Sequence, residues 1–196
     1  MDNTVGSLTQ VQKSVIIGTL LGDGYVRIVN GRKDAFLEVN HSFAQKEYVD
    51  WKYAILKSIS KNIPKARNGK QRIAYRFFTR QHPEITELYH LFYRGGKKVV
   101  PMISLDPLSL AVWFMDDGSK CRNSDVYLNT QQFTFQDQKR ILSLLKGFGL
   151  NARLNRDKIY YRVRFLKESV HKLNEMIAKI IIPSMHYKLS NDPVET

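Results

Sequence analysis

The amino-acid sequence predicts an α+β protein made of two similar halves. The first observation is a repeated phrase, IIGTLLGDG at residues 16–24 and LAVWFMDDG at residues 110–118. Each phrase is an apolar run of helical length that ends in Asp and Gly. The second observation is that the predicted elements after each phrase follow the same order of strands, helix, strands and helix. Since the two phrases lie about half of the 196-residue chain apart, an internal repeat is expected.

In the first half, local signals define each element. Thr9 with Gln12 fits a capping box for the first helix, which is expected to end at residues 22–24. Asn30-Gly31 predicts a hairpin turn between two strands. The apolar spacing then predicts strands at 25–29, 36–41 and 73–79, helices at 46–60 and 84–93, and a loop at 64–69.

The second half repeats this order after a predicted linker at residues 94–98. Asp106-Pro107 suits the cap and first turn of the second motif helix. The other predicted elements are strands at 126–130, 152–155 and 159–165 and helices at 135–148 and 169–180. We therefore expect two units, residues 1–96 and 97–196.

The charge of the chain points to a polyanionic partner. The formal net charge is +13, and 43% of residues are hydrophobic, which is typical of a globular protein. No apolar run reaches the roughly 18 residues of a membrane span, and the first residues lack the pattern of a secretory signal. The single cysteine, Cys121, excludes a disulfide within the chain and a multi-cysteine zinc site.

Three predicted strands carry arginines that alternate with apolar residues. Arg72, Arg76 and Arg80 alternate with apolar residues, and so do Arg162 and Arg164. Arg27 stands between two apolar neighbours. A period of two places the cations on one face of a sheet and the apolar groups on the other. Such a sheet suits the major groove of duplex DNA.

The two motif aspartates, Asp23 and Asp117, are candidate ligands for a metal ion. Each is expected at the end of a buried helix, where backbone carbonyl oxygens also point. Mg²⁺ prefers one or two carboxylates together with water and phosphate oxygens. If the motif helices pack side by side, the two carboxylates would meet and could serve both strands of a duplex.

These residues resemble the repeated signature of the LAGLIDADG homing endonucleases, in the single-chain form with two motifs. The first motif matches in GDG and at both glycines, whereas the second has Val112 and Asp116 at positions where the family has small residues. The strings KKVVP, VYLNTQQFTF and PSMHYKL make the second half similar to mitochondrial group I intron endonucleases of this family. The resemblance covers essentially the whole chain.

The resemblance implies a fold of two pseudo-symmetric αββαββα halves whose antiparallel sheets form a saddle over a long DNA site. It implies a monomeric enzyme that needs Mg²⁺, cleaves both strands across the minor groove and leaves short 3′ overhangs. Mn²⁺ is expected to substitute, and Ca²⁺ to support binding without cleavage. An organelle or the prokaryotic cytoplasm is the implied location.

The resemblance also implies roles for individual residues. Asp23 and Asp117 are the implied metal ligands, with Gly22 and Asp116 beside them, Asp116 as a neighbour rather than the main ligand. Lys98 and Lys188 match the basic residues near the scissile phosphates. A polar strand residue that contacts the attacking water matches Asn40 or His41 in the first half and Gln131 or Asn155 in the second. The candidate DNA-binding residues are Arg27, Arg32, Lys33, Lys70, Arg72, Arg76, Arg80, Lys120, Arg122, Asn129, Arg153, Arg156, Lys158, Arg162 and Arg164.

A second function is compatible with the same sequence. An RNA maturase of this fold, which binds its own intron RNA and assists splicing, could keep the aspartates and the lysines. A DNA-binding protein without cleavage could keep them too. The sequence therefore predicts a nucleic-acid-binding protein in each case, with the endonuclease as the main hypothesis.

Overall fold

The computed structural model describes residues 6–69, 72–121 and 125–189. These residues form two compact units, one ending at Leu91 and the next beginning at Phe92. In both units the main elements follow the order helix, two strands, helix, two strands, helix. The α+β fold with two αββαββα halves is therefore confirmed, while the domain boundary after Gly96 stays a prediction.

The first unit places one antiparallel sheet against helices. Thr9 caps α1 and forms the expected capping box with Gln12. Alternate residues of β2 are buried, and α2 packs on β2 and β4, so one face of the sheet is covered. The sheet order is β1-β2-β4-β3. The elements are α1 (Gln10–Leu21), β1 (Tyr25–Ile28), β2 (Ala35–Ser42), α2 (Lys46–Leu56), β3 (Lys65–Asn68), β4 (Ile73–Phe78) and α3 (Pro83–Phe92).

The second unit repeats this topology after a short hairpin. Asp106 caps α4 with a capping box to Ser109, and Pro107 opens the helix, as predicted. Helix α5 packs on β9 and β10, and the sheet order is β7-β8-β10-β9. The elements are β5 (Tyr93–Arg94), β6 (Lys97–Lys98), α4 (Pro107–Asp117), β7 (Gly118–Cys121), β8 (Asp125–Leu128), α5 (Phe135–Gly147), β9 (Ala152–Asp157), β10 (Tyr160–Phe165), α6 (Lys167–Ile177) and a 3-10 helix at Pro183–Lys188.

Two local predictions were wrong. The segment predicted as a loop at 64–69 contains β3, an edge strand whose four residues are all exposed and polar or small. Because no apolar alternation marks such a strand, the pattern could not indicate it. The predicted linker at 94–98 is the β5–β6 hairpin, in which Gly95 and Gly96 have φ of +55° and +75°. Two consecutive positive φ angles are typical of the tight type I′ hairpin turn.

Each motif ends in glycine because the chain passes close to its own helix there. A Cβ at Gly118 would lie 2.4 Å from the carbonyl oxygen of Phe114, and one at Gly24 would lie 2.3 Å from the Cγ2 of Thr19. Real Cβ atoms essentially never come so close. The sharp passage from motif helix to first strand therefore requires glycine in both halves.

Gly118→Ala is expected to destabilise the protein by about 1–3 kcal/mol, because overpacking forces the helix end and the strand apart. The melting temperature should fall by roughly 2–12 °C, as followed by circular dichroism during heating. The matched control is Gly147→Ala, where a Cβ would have no neighbour within 4 Å. That helical substitution should raise stability by up to about 1 kcal/mol. Equal melting temperatures for Gly118→Ala and the unchanged protein would contradict the close-approach argument.

Candidate nucleic-acid interface and carboxylate sites

The first sheet has an open face that carries arginines. Strand pairing sets Arg27 opposite Phe36 and Arg76 opposite Asn40, and these side chains share the face that α2 does not cover. The alternate residues, such as Val39, are buried on the other face. Alternation therefore divides this sheet into a basic face and a packed face, as the sequence indicated.

A carboxylate lies among these cations. Glu38 accepts a hydrogen bond from Arg76 at 3.2 Å and forms an ion pair with Arg27 at 3.7 Å. The guanidinium of Arg27 lies over the ring of Phe36 at 5.1 Å, and that of Arg76 over the ring of Phe78 at 5.3 Å. The arginines are thus fixed by rings and by an acid.

The second sheet has an equivalent open face. Arg162 pairs with Asn155 and Arg164 pairs with Arg153, while Val163 between them is fully buried on the other face. Arg164 donates a hydrogen bond to Asp125. Arg162 lies over the ring of Tyr127 at 4.0 Å. On both sheets, therefore, arginines of the open face contact aromatic rings and carboxylates.

Asp23 lies two residues beyond α1, and its side chain is 53% exposed. The Oδ2 of Asp23 is 3.8 Å from Nδ1 of His41, which is buried and packs its ring against Tyr48. A cavity of about 340 Å³ opens beside Asp23. Its lining residues are Asp23, Tyr25, Glu38, Asn40, His41, Gln45 and Arg72.

The oxygen atoms at this cavity suit a hard divalent cation. The Oδ1 of Asn40 is buried and has no hydrogen-bond partner within the described residues. An amide oxygen and the Asp23 carboxylate are the type of ligand that Mg²⁺ prefers, with water completing the shell. The donor set therefore fits a metal site that keeps several waters.

Asp117 has a different environment. It is the last residue of α4 and is buried, and its Oδ2 accepts a hydrogen bond from the indole Nε1 of Trp113 at 3.3 Å. The backbone N–H of Asn129 donates to the carbonyl oxygen of Asp117 at 3.0 Å. The first carboxylate thus lies beside an open cavity, and the second is buried within the last turn of its helix.

Strand register identifies matched polar residues next to the two aspartates. Extending the β1–β2 pairing sets Asp23 opposite Asn40, and extending the β7–β8 pairing sets Asp117 opposite Asn129. By the same count His41 corresponds to Thr130, and both are buried. The sequence predicts Asn129 only as a DNA-binding residue. Its match to Asn40 depends on the pairing of β7 with β8, which no apolar alternation in β7 indicates.

The other predicted water-contacting residues lie elsewhere on the second sheet. The Nε2 of Gln131 donates to Asp157 at 3.0 Å. Asn155 lies opposite Arg162 and donates to the carbonyl of Arg156 at 3.3 Å. The register therefore sets Asn40 and Asn129, rather than Gln131 or Asn155, across from the two aspartates, while His41 lies 3.8 Å from the Asp23 carboxylate.

The predicted lysines occupy unequal positions. Lys188, in the 3-10 helix, is buried, and its Nζ donates to the carbonyl oxygens of Met115 and Asp116. It thus binds the C-terminal end of the second motif helix, where the helix dipole is negative. Lys98 is half-buried in β6. Gly22 is the C-cap of α1 and donates its N–H to Gly18.

The remaining predicted basic residues are spread over both faces and the turns. Arg32, Lys33 and Lys158 lie in hairpin turns, Arg153 is exposed on the open face, and Arg80 donates to the carbonyl of Ser58. Lys120 and Arg156 lie on the sheet face away from Arg164. Lys120 is opposite buried Val126, and Arg156 is opposite Tyr161. Lys70 and Arg122 lie outside the described residues.

Comparison with known proteins gives a consistent result. A model of the LAGLIDADG DNA endonuclease family matches residues 13–173. The chain is 29% identical to the cytochrome b mRNA maturase bI2 of Saccharomyces cerevisiae, over 97% of this chain and 50% of that protein. It is 26% identical to the probable intron-encoded endonuclease 1 of Wickerhamomyces canadensis, over 93% of this chain and 85% of that protein. The chain therefore spans about half the length of the first of these relatives.

Solved structures agree in fold. The homing endonuclease I-WcaI bound to its DNA recognition sequence superposes with a TM-score of 0.88 at 24% identity, covering 94% of this chain and 88% of that one. I-DmoI in complex with DNA and Ca gives a TM-score of 0.55 at 11% identity, covering 91% and 97%. In the described part of this chain, no helix is both long enough and apolar enough to cross a membrane.

Proposed function

Because the chain belongs to the LAGLIDADG DNA endonuclease family, we propose that it is a monomeric, site-specific DNA endonuclease. It binds a long asymmetric duplex, hydrolyses one phosphodiester bond in each strand with Mg²⁺, and leaves short 3′ overhangs. One observation carries this proposal. In both halves a motif carboxylate stands where a buried helix passes into the first strand of a sheet with a basic open face.

The basic faces supply binding. Lysines and arginines that neutralise phosphates release counterions, so duplex affinity should fall steeply with salt. Arginines on the open faces, Arg27, Arg76, Arg153, Arg162 and Arg164, contact the grooves. Because the two halves differ in sequence, the recognised site has no exact two-fold symmetry.

The chemistry is assigned to the residues around each aspartate. A bound Mg²⁺ would polarise the scissile phosphate and lower the pKa of a water molecule. In the first half such an ion would be held by Asp23 with the adjoining backbone at Gly22, and in the second half by Asp117 with that at Asp116. Asn40 and Asn129 orient the attacking water through their amides. Because Asp117 keeps a hydrogen bond from Trp113, its carboxylate is held in one orientation.

Lysines complete each half-site. Lys98 and Lys188 place positive charge near the phosphate that becomes more negative as water adds to it. The attacking water gives up a proton to solvent as its oxygen forms the new bond to phosphorus, the bond to the leaving sugar oxygen breaks, and that oxygen takes up a proton from solvent. His41, packed behind Asp23, keeps that carboxylate in position rather than contacting the water.

The test is incubation of the protein with duplex DNA that carries the junction where its own intron would insert, in Mg²⁺ or Ca²⁺. A double-strand break in Mg²⁺, and binding without a break in Ca²⁺, is the expected result. Duplex DNA in which the intron interrupts the junction is the matched control and should stay uncut.

A maturase is the second candidate function. It is favoured by the relative named cytochrome b mRNA maturase bI2, whose similarity covers 97% of this chain. An intron RNA would then be the partner. Tight binding to that RNA with no break in the DNA would overturn the endonuclease proposal in favour of this one.

A further inference from the structure

We propose that Arg76 and Arg162 are matched guanine-reading residues, one for each half of the DNA target. This inference rests on the proposed function and adds to it the base that each half recognises at one position. It starts from the strand register. Arg76 lies directly opposite Asn40, and extending the β8–β10 pairing by one residue sets Arg162 opposite Asn129.

The register therefore produces the same row in each half. Across three strands the first row is Asp23, Asn40 and Arg76. The second row is Asp117, Asn129 and Arg162. In each half the arginine therefore lies two strands away from the motif carboxylate, in the same row of the sheet. If the halves bind their half-sites alike, the two arginines meet equivalent positions on either side of the centre of the target.

Arg76 is held by an acid and a ring. Its Nη1 donates to Oε1 of Glu38 at 3.2 Å, its Cζ lies 5.3 Å from the centre of the Phe78 ring, and its side chain is 25% exposed. A carboxylate so close repels a phosphate, but it does not repel the neutral edge of a base. It also fixes the plane of the guanidinium, which lowers the entropy cost of a two-bond contact.

Among the described residues, Arg162 is held by an aromatic ring. Its Cζ lies 4.0 Å from the centre of the Tyr127 ring, and Tyr127 is the counterpart of Glu38 in the register. Its Nε is buried and has no hydrogen-bond partner within the described residues. A flat, half-buried guanidinium that stacks on a ring suits a planar acceptor pair better than a mobile phosphate.

Guanine is the base that offers such a pair. In the major groove its O6 and N7 accept two parallel hydrogen bonds from one arginine, whereas adenine offers a donor and an acceptor. Each position should therefore prefer guanine over adenine by roughly 5- to 150-fold. The supporting residues differ, so the preference at the Arg76 position should depend on Glu38 and that at the Arg162 position should not.

The experiment selects bound duplexes from a library randomised across the target, in Ca²⁺, with the unchanged protein and four variants. The unchanged protein should enrich guanine at two positions, one in each half-site. Arg76→Gln should replace guanine with adenine at the first position only, because glutamine pairs with adenine. Arg162→Gln should do the same at the second position only.

Two further variants separate reading from simple charge. Glu38→Gln should lower the guanine preference at the Arg76 position several-fold while overall affinity stays equal or rises, since a negative charge is removed. Lys65→Gln, an exposed residue opposite Arg76 on the edge strand, is the matched control. It should weaken binding to all duplexes equally. Melting curves establish that each variant is folded.

The outcomes separate the inference from the function on which it rests. Salt-dependent duplex binding with base preferences unchanged in Arg76→Gln and Arg162→Gln overturns the guanine assignment and leaves the endonuclease proposal intact. If the unchanged protein shows no salt-dependent binding to duplex DNA, the proposed function is overturned, and this inference with it.

Discussion

Asp23→Asn and Asp117→Asn are each expected to lower the rate of double-strand cleavage by at least about 10³-fold, because the metal contributes several kcal/mol to the transition state. An amide is isosteric with the carboxylate but carries no charge to hold Mg²⁺. Duplex binding in Ca²⁺ should stay within about threefold, because phosphates and bases are bound by the open faces. Cleavage is measured on a labelled duplex at saturating protein, and binding by gel shift.

The two aspartate variants should differ in thermal stability as well as in cleavage activity. Asp117 is buried and accepts from Trp113, whereas Asp23 is half exposed. Asp117→Asn should therefore change the melting temperature more than Asp23→Asn. Asp50→Asn, at a half-exposed carboxylate of α2 that pairs with Lys46 and accepts a hydrogen bond from Tyr75, is the control and should keep full cleavage. Full cleavage of both strands by either motif variant would refute the assignment of that aspartate as a metal ligand.

The motif helices and their ends could be predicted because their signals are local. Thr9 and Gln12, three residues apart, define the start of α1, and Asp106 with Pro107 does the same for α4. The Asp-Gly pairs gave both carboxylates for the same reason. By contrast, β7 was not predicted, since Gly-Ser-Lys-Cys has no apolar alternation and becomes a strand only by pairing with β8.

The residues next to the carboxylates depend on strand register, which the sequence does not show in the way that it shows a helix start. Asn40 and His41 are neighbours in sequence, yet they lie on opposite faces of β2, and only the pairing with β1 sets Asn40 opposite Asp23. Glu38 was overlooked because a net positive charge does not indicate where an acid lies. Its position between two apolar residues already placed it on the arginine face.

The burial of Lys188 is the feature that sequence reasoning was least able to find. A lysine near a scissile phosphate would ordinarily be expected to be exposed, but this side chain donates to the last carbonyls of α4, more than 70 positions earlier in the chain. Such a contact depends on where the 3-10 helix packs. Lys188 thereby places a positive charge at the end of the second motif helix, where the proposed chemistry requires one.

Lys188→Met is expected to have two separable effects. Met115 and Asp116 lose a donor to their carbonyl oxygens, which should cost about 1–3 kcal/mol and lower the melting temperature by roughly 2–12 °C. Loss of the cation should also slow cleavage by about 10²-fold, measured at a temperature where the variant is fully folded. Lys179→Met removes an exposed lysine of the same C-terminal region and should change stability by no more than about 0.5 kcal/mol.

The comparison of these two effects decides what Lys188 does. If the folded Lys188→Met variant cuts at the normal rate, the lysine is only a cap for the α4 carbonyls and its proposed role in cleavage is wrong. If cleavage falls while binding in Ca²⁺ is retained, the cation acts on the reaction itself. Because the ammonium lies at the same helix end as Asp117, the cleavage defect should be confined to one strand, leaving a nicked duplex as the product.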